Sequence, residues 1–105
     1  MDIKDYQDKA WSYALPSAQN LAYVSFGLIA EVGEYFDKYA KFVRDGGDML
    51  AMQEARKKEL GDILWFVAAE ATMNGWSLQE IADGNVKKLA ARKEFGTIQG
   101  NGDNR

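Results

Sequence analysis

Apolar residues recur every three or four positions along most of the chain, and no segment alternates apolar and polar residues as a β-strand does. The expected fold is therefore all-α: a four-helix, bundle-like subunit with one short helix and three longer ones. The predicted domain spans residues 1–95, and the glycine- and asparagine-rich residues 96–105 are expected to form a flexible tail. The four helices are predicted over residues 3–14, 18–45, 48–74 and 78–94.

Proline and glycine mark the breaks between these helices. Pro16-Ser17 predicts a turn, Gly46-Gly47 separates the second helix from the third, and Gly75 is expected to end the third. Ser77 with Glu80 three residues later is typical of a capping box, which opens the fourth helix. The short Gly46-Gly47 connection makes the second and third helices an antiparallel pair.

Each of the two long helices should bury one apolar stripe against the rest of the domain. Gly27 and Gly33 lie inside the second helix, where a glycine lowers helix stability by ~1 kcal/mol relative to alanine. Their presence indicates close approach by another helix or a ligand, or simply tight packing. The predicted stripe of the third helix consists of Leu60, Ile63, Leu64, Val67 and Ala71. That of the second helix consists of Leu21, Val24, Leu28, Val32, Tyr35, Tyr39, Phe42 and Val43.

The dimensions of the second helix favour an oligomer. At 1.5 Å per residue it would be ~40 Å long, whereas a compact domain of this size has a diameter near ~33 Å. Trp65, Ala69 and Met73 also lie off the core stripe of the third helix. Both observations predict burial against a second subunit, in a homodimer or homotetramer. The alternative is that Trp65 covers the first helix within one chain.

Composition excludes several kinds of chemistry. The 105 residues include no cysteine and no histidine, which removes thiolate sites, the usual zinc sites and catalysis by a Ser-His or Cys-His pair. A net charge of -3 argues against bulk nucleic-acid binding. The sequence shows no transmembrane run and no apolar signal segment after Met1, so we expect a cytoplasmic protein that does not associate with membranes.

Two acidic doublets border the predicted stripes. Glu31 and Glu34 lie three residues apart on the second helix, and Glu59 and Asp62 repeat this spacing on the third. Each doublet lies about 12 residues from Gly46-Gly47, so antiparallel packing places both at one level, ~18 Å from the turn. Four carboxylates together repel unless a cation cancels their charge, and Mg²⁺ prefers such oxygen ligands, as one ion or as two about 4 Å apart. The alternative is two solvated acidic faces.

Polar and basic residues on the fourth helix form a second candidate site. Asn85, Lys88 and Arg92 share one side of it, next to its apolar stripe, and are expected to point toward the bundle. Lys38 follows Glu34 by one turn, with Lys41 close behind. Lysine and arginine bind phosphate as a point charge and as a two-pronged donor, respectively. Taken alone, the pattern is more typical of a solvated face that forms salt bridges with the acidic residues.

Taken together, these motifs resemble the MazG-like family of all-α nucleoside triphosphate pyrophosphohydrolases. The family pattern of ExxE, a spacer and ExxD matches Glu31-Val32-Gly33-Glu34, 24 residues, and Glu59-Leu60-Gly61-Asp62. The segment from Asn85 to Arg92 is similar to the family's C-terminal Asn-x-x-Lys-x-x-x-Arg element. The resemblance covers roughly residues 5–95.

The resemblance implies Mg²⁺-dependent hydrolysis of a nucleoside triphosphate to a monophosphate and pyrophosphate, with Mn²⁺ as a possible substitute and a dimer or tetramer as the assembly. The implied metal ligands are Glu31, Glu34, Glu59 and Asp62. The implied phosphate contacts are Lys38, Asn85, Lys88 and Arg92. The residues assigned to catalysis are Glu34, which would orient the attacking water, together with Glu59 and Lys38. Base and sugar preference do not follow from the resemblance.

Two other functions fit the same pattern. One is a related enzyme on the same fold that is specific for dUTP, dCTP or phosphoribosyl-ATP. The other is a non-catalytic helical oligomerisation module whose acidic residues are merely solvated. Stoichiometric Mg²⁺ binding separates the enzymes from the module, and a substrate panel separates the enzymes from each other.

Overall fold

The computed structural model describes residues 1–103 and is all-helical in this part of the chain. The prediction of an all-α fold with one short helix and three longer ones is confirmed. A single 3₁₀ turn, Pro16–Ala18, follows the first helix. The helices are α1 (Ile3–Trp11), α2 (Leu21–Asp45), α3 (Met49–Met73) and α4 (Leu78–Glu94).

Capping residues set the helix ends. Asn20 caps α2, because its side chain accepts a hydrogen bond from the Tyr23 N–H at 2.7 Å, so the helix begins three residues later than predicted. The predicted cap of α4 is confirmed, since the Ser77 hydroxyl accepts from the Glu80 N–H at 3.2 Å. Gly75 has a φ of +73°, the left-handed conformation that favours glycine just past a helix end.

Helices α2 and α3 form an antiparallel hairpin with arms of 25 residues each. The turn needs glycine, because Gly46 and Gly47 have φ angles of +71° and +123°. Equal arms bring together residues that lie equally far from the turn. Gly27, 19 residues before Gly46, meets Phe66, 19 residues after Gly47. The hairpin register expected from the sequence is therefore confirmed.

The apolar core lies at the end of the hairpin away from the turn. Its centre is Val24, Phe66 and Ala69, against which Trp11, Leu28, Trp65 and Met73 pack. Helix α1 crosses α3 here, and Trp65 Nε1 donates a hydrogen bond to the Ala10 carbonyl at 2.9 Å. Trp65, Ala69 and Met73 thus pack against the core within the chain, which is the alternative given for Trp65, and their position gives no support for a second subunit.

The predicted core stripes include residues that the single chain leaves exposed. Leu21, Val32, Tyr39 and Val43 of α2 are exposed, as are Leu60 and Leu64 of α3, so their assignment to the core is wrong for the single chain. One of them, Val43, belongs to a second apolar stripe of α2, which is spaced by three and four residues on the outer side of the helix. We call this the outer stripe; it consists of Phe26, Ile29, Gly33, Phe36, Ala40 and Val43.

A buried glutamine positions α4. Gln7 Nε2 donates to the Thr72 hydroxyl at 3.1 Å and to the Trp76 carbonyl at 2.9 Å. Gln7 Oε1 accepts from the Leu78 N–H, at the start of α4, at 2.8 Å. This N–H has no partner inside its own helix, so the glutamine ties α1 to the α3–α4 turn and satisfies a group that would otherwise be unpaired.

The molecule is more extended than a compact domain of its length. Its radius of gyration is 16.8 Å, compared with ~13 Å for a compact chain of about 100 residues. Helix α4 packs against α1 and α3, leaving much of the α2–α3 hairpin uncovered. None of the helices in the described residues has the length and hydropathy needed to cross a membrane.

Candidate metal centre

Three carboxylates meet between the two arms of the hairpin. Glu31, Glu59 and Asp62 each offer one oxygen, and these oxygens lie within 4.8 Å of one another. Glu31 and Glu59 are half-buried, whereas Asp62 is exposed. We refer to these three residues as the carboxylate cluster.

The hairpin geometry explains why these residues meet. Glu31 lies 15 residues before Gly46, and Asp62 lies 15 residues after Gly47, so the two side chains stand at the same level. Glu59 lies three residues before Asp62, on the same face of α3. The register of the turn and the helical period are therefore sufficient to assemble the cluster.

Glu34, the fourth predicted metal ligand, is not one of these three residues. It is exposed, and its carboxylate does not belong to the group of oxygens within 4.8 Å. Its charge nevertheless contributes to the raised pKa of Glu31. The structure thus brings together three of the four predicted ligands and places Glu34 beside them.

The cluster carries uncompensated negative charge. Burial is the largest cause that raises the pKa of Glu31, followed by the charge of Asp62 and by the contact with Glu59. Within residues 1–103, the cation that pairs with the cluster is Lys38, whose Nζ lies 3.8 Å from a Glu59 oxygen. Three carboxylates against one ammonium leave an excess of two negative charges when all are ionised.

This donor set fits a hard divalent cation. Oxygen ligands in a half-buried, negatively charged setting match the preference of Mg²⁺, which is commonly held by a few carboxylates and keeps several waters. Zinc sites usually include nitrogen or sulfur ligands, and the carboxylate cluster offers only oxygen. The residues present therefore fit the magnesium ion that the resemblance implies.

Helix α1 contributes an aromatic hydroxyl near the cluster. The pKa of Tyr6 is raised, first by burial and second by the charge of Asp62. The sequence patterns gave no sign that Tyr6 lies close to Asp62. This tyrosine also borders a cavity of about 270 Å³ lined by Met1, Tyr6, Lys9, Ala10, Tyr13 and Trp65.

The predicted phosphate-binding residues of α4 have a different environment. Lys88 Nζ lies 3.1 Å from the Asp103 carboxylate, and Arg92 Nη2 lies 3.2 Å from the same oxygen. Asn85 is exposed. Within residues 1–103, the ion pairs of Lys88 and Arg92 are with Asp103 rather than with the carboxylate cluster. The structure therefore joins Lys38 to the cluster but pairs the α4 cations with the C-terminal segment.

Sequence reasoning missed two polar contacts across the hairpin. The Ser25 hydroxyl donates to the Glu70 carboxylate at 2.8 Å. Arg56 Nη2 donates to the Tyr35 hydroxyl at 2.6 Å, and its guanidinium lies 4.8 Å from the centre of the Tyr35 ring. Arg56 and Glu70 continue the three- and four-residue spacing that passes through Glu59, and this spacing was the signal available in the sequence.

Comparison with known proteins agrees with this architecture. Residues 19–96 match the family described as the MazG nucleotide pyrophosphohydrolase domain. The Gene 37 protein of Mycobacterium phage L5 is 42% identical over 92 residues, which cover 85% of this chain and 80% of the phage protein. No solved structure gives a significant match. The matched region contains α2, α3 and α4, including both acidic doublets, and the chain therefore belongs to the MazG nucleotide pyrophosphohydrolase domain family.

Proposed function

We propose that the protein hydrolyses a nucleoside or deoxynucleoside triphosphate to the monophosphate and pyrophosphate, with Mg²⁺ as its cofactor. The observation that carries the proposal is the carboxylate cluster, whose three oxygens lie within 4.8 Å of one another on two helices inside the region that matches the family. Family membership supports the reaction class, and the charge excess of the cluster supports the divalent ion.

The proposed metal ligands are Glu31, Glu59 and Asp62, with Glu34 beside them as a fourth carboxylate. A magnesium ion held there supplies positive charge that polarises a phosphate group and offsets the negative charge of the triphosphate. The half-buried position of Glu31 and Glu59 strengthens this role, because charges interact more strongly where water is partly excluded.

The remaining polar residues have separate tasks in this proposal. Glu34 orients the attacking water and takes up its proton, since this carboxylate is exposed and lies outside the cluster. The water oxygen bonds to phosphorus as the bond between the α-phosphate and the pyrophosphate breaks. Lys38, close to Glu59, stabilises charge on the phosphate oxygens. Asn85, Lys88 and Arg92 hold phosphate according to the family pattern.

Pyrophosphate release from each of the eight common NTPs and dNTPs, with and without Mg²⁺, tests the proposal. Glu59→Gln and Asp62→Asn should abolish Mg²⁺-dependent release and leave the helical circular dichroism unchanged. Glu54→Gln is the matched control, because Glu54 is an exposed carboxylate on the same helix that pairs with Lys57. Unchanged turnover in both cluster variants would refute the site.

The same panel separates the alternative functions. Activity confined to dUTP or dCTP, or to phosphoribosyl-ATP added as a further substrate, would identify a specialised pyrophosphatase on this fold. Stoichiometric Mg²⁺ binding measured by calorimetry distinguishes any of these enzymes from a non-catalytic oligomerisation module, for which the titration would show no saturable binding.

We further propose that the protein acts as a homodimer or homotetramer that buries the outer stripe of α2. Phe26, Ile29 and Phe36 are 73%, 70% and 62% exposed in the single chain. The residues of this stripe are spaced alternately by three and four positions, the pattern that packs one helix against another. Such a contiguous apolar face on a small protein is typical of a subunit interface.

The accessible surface supports the same assembly. The chain exposes 7720 Å², whereas a compact monomer of 11.8 kDa exposes roughly 5,900 Å². The excess of roughly 1,800 Å² per chain corresponds to roughly 3,600 Å² for two chains, which lies within the range of about 2,000–5,000 Å² that obligate homodimer interfaces bury. A second copy is the proposed partner because each chain presents the same self-complementary helix face.

A further inference from the structure

Residues 96–103, which we call the C-terminal segment, fold back over the end of α4. The Thr97 N–H donates to the Arg92 carbonyl at 2.8 Å, and Gly96 turns the chain with a φ of +68°. Farther along, the Gly102 carbonyl accepts from Arg92 Nη2 at 3.2 Å. Arg92 is only 6% exposed, which is unusual for an arginine on the last turn of a helix.

We propose that the C-terminal segment is autoinhibitory: the Asp103 carboxylate occupies the anion site formed by Lys88 and Arg92, and it must leave before a phosphate group binds there. The inference rests on the phosphate-binding role proposed above for these two cations. One Asp103 oxygen lies 3.1 Å from Lys88 Nζ and 3.2 Å from Arg92 Nη2, so a single carboxylate pairs with both.

The hydrogen bonding of Arg92 shows that the carboxylate fills this site incompletely. Arginine binds a phosphate or carboxylate most strongly through two parallel N–H donors. In residues 1–103, however, only Nη2 of Arg92 contacts Asp103, and Arg92 Nε is buried without a hydrogen-bond partner. A phosphate group, which has more charge and more acceptor oxygens than a carboxylate, can engage both nitrogens and displace Asp103.

The contact is also weak enough to be reversible. The Asp103 side chain is 82% exposed, and exposed ion pairs commonly contribute a free energy on the order of the thermal energy, so the contact can open readily. Because the segment is joined directly to α4, its carboxylate is present at a high local concentration. Lys88 first, and then Arg92, lower the pKa of Asp103, so the carboxylate is ionised at neutral pH.

The test measures the affinity of the full chain for inorganic pyrophosphate in the presence of Mg²⁺, by calorimetry and by product inhibition. Asp103→Asn removes the competing charge and should tighten pyrophosphate binding by about two- to fivefold, the range that loss of a surface ion pair allows. The KM for the triphosphate should fall by the same factor, with kcat unchanged.

Asp83→Asn is the matched control. Asp83 is an exposed carboxylate on α4, the helix of Lys88 and Arg92, and it accepts a hydrogen bond from Gln79. Unchanged or weaker pyrophosphate binding by Asp103→Asn, or equal tightening by Asp83→Asn, overturns autoinhibition.

Arg92→Gln separates this inference from the function it rests on. Weaker binding by Arg92→Gln together with no effect of Asp103→Asn leaves the phosphate site standing and rejects only the autoinhibitory contact. No effect of Arg92→Gln rejects both.

Discussion

The ring of Phe66 lies against the backbone of Gly27, in the space that a Cβ atom at position 27 would occupy. This contact sets how closely α2 and α3 approach next to the core, one turn of α2 before Glu31. Phe66 is buried and packs edge-to-face with Trp65, with the two ring centroids 5.0 Å apart, so it has little room to move. The closeness of the two helices at the carboxylate cluster therefore depends on the absence of a side chain at Gly27.

Gly27→Ala should destabilise the fold even though alanine favours helices. The added methyl overlaps Phe66, and overpacking of this kind costs about 1–3 kcal/mol, against a helix-propensity gain of ~1 kcal/mol. We expect a net loss and weaker Mg²⁺ binding, measured by urea unfolding and calorimetry. Gly84→Ala is the matched control in the middle of α4, because no atom lies within 4 Å of its added Cβ and its stability should rise. Equal stability changes in the two variants would contradict this account.

Removing one charge from the carboxylate cluster should stabilise the metal-free protein. Glu31→Gln relieves repulsion with Asp62 and Glu59, and we expect a gain of a few tenths to about 1 kcal/mol in EDTA. In Mg²⁺ at 100 times its dissociation constant, the wild-type protein should gain ~2.7 kcal/mol, and the variant should lose this gain. Thermal unfolding in both buffers measures the two effects. A variant that is less stable in EDTA and still responds fully to Mg²⁺ would argue against the cluster.

The pH dependence of the metal-free protein follows from the same residue. The pKa of Glu31 is raised in the folded state above the ordinary glutamate value of 4.5. As the pH rises from there through the raised pKa, the unfolded chain releases this proton more readily than the folded one, so the free energy of unfolding falls. Urea unfolding in EDTA between pH 4 and 7 should show the wild type losing stability relative to Glu31→Gln. A flat or opposite difference between the two proteins would contradict the prediction.

Charging the outer stripe of α2 should dissociate the proposed oligomer. Ile29→Asp places a carboxylate in the middle of the stripe, where an interface would have to bury it without a partner. Sedimentation velocity should show the wild type as a dimer or tetramer and the variant as a monomer. Leu50→Asp tests whether the effect is specific, since Leu50 is equally exposed but lies near the hairpin turn. A variant at position 29 that keeps the wild-type mass would rule out this interface.

Most of the helical architecture could be predicted from the sequence, because it depends on local interactions. The spacing of apolar residues, the cap at Ser77 and the glycines at 46 and 47 act over a few residues, so they determine where helices begin, end and reverse. The equal arms then bring Glu31 and Asp62 to one level without further information. The prediction that the acidic doublets face each other drew on this local geometry.

Tertiary structure decided which face of each helix turns inward. Both stripes of α2 are apolar and share the helical period, so only packing against α3 determines that Val24 is buried while Phe26 is exposed. The same rotation leaves Glu34 outside the carboxylate cluster. The pairing of Lys88 and Arg92 with Asp103 likewise depends on the reversal of the chain after α4, which no periodic pattern of apolar or charged residues predicts. Side-chain contacts between segments that meet only after folding are governed by helix rotation and packing, which a one-dimensional pattern does not contain.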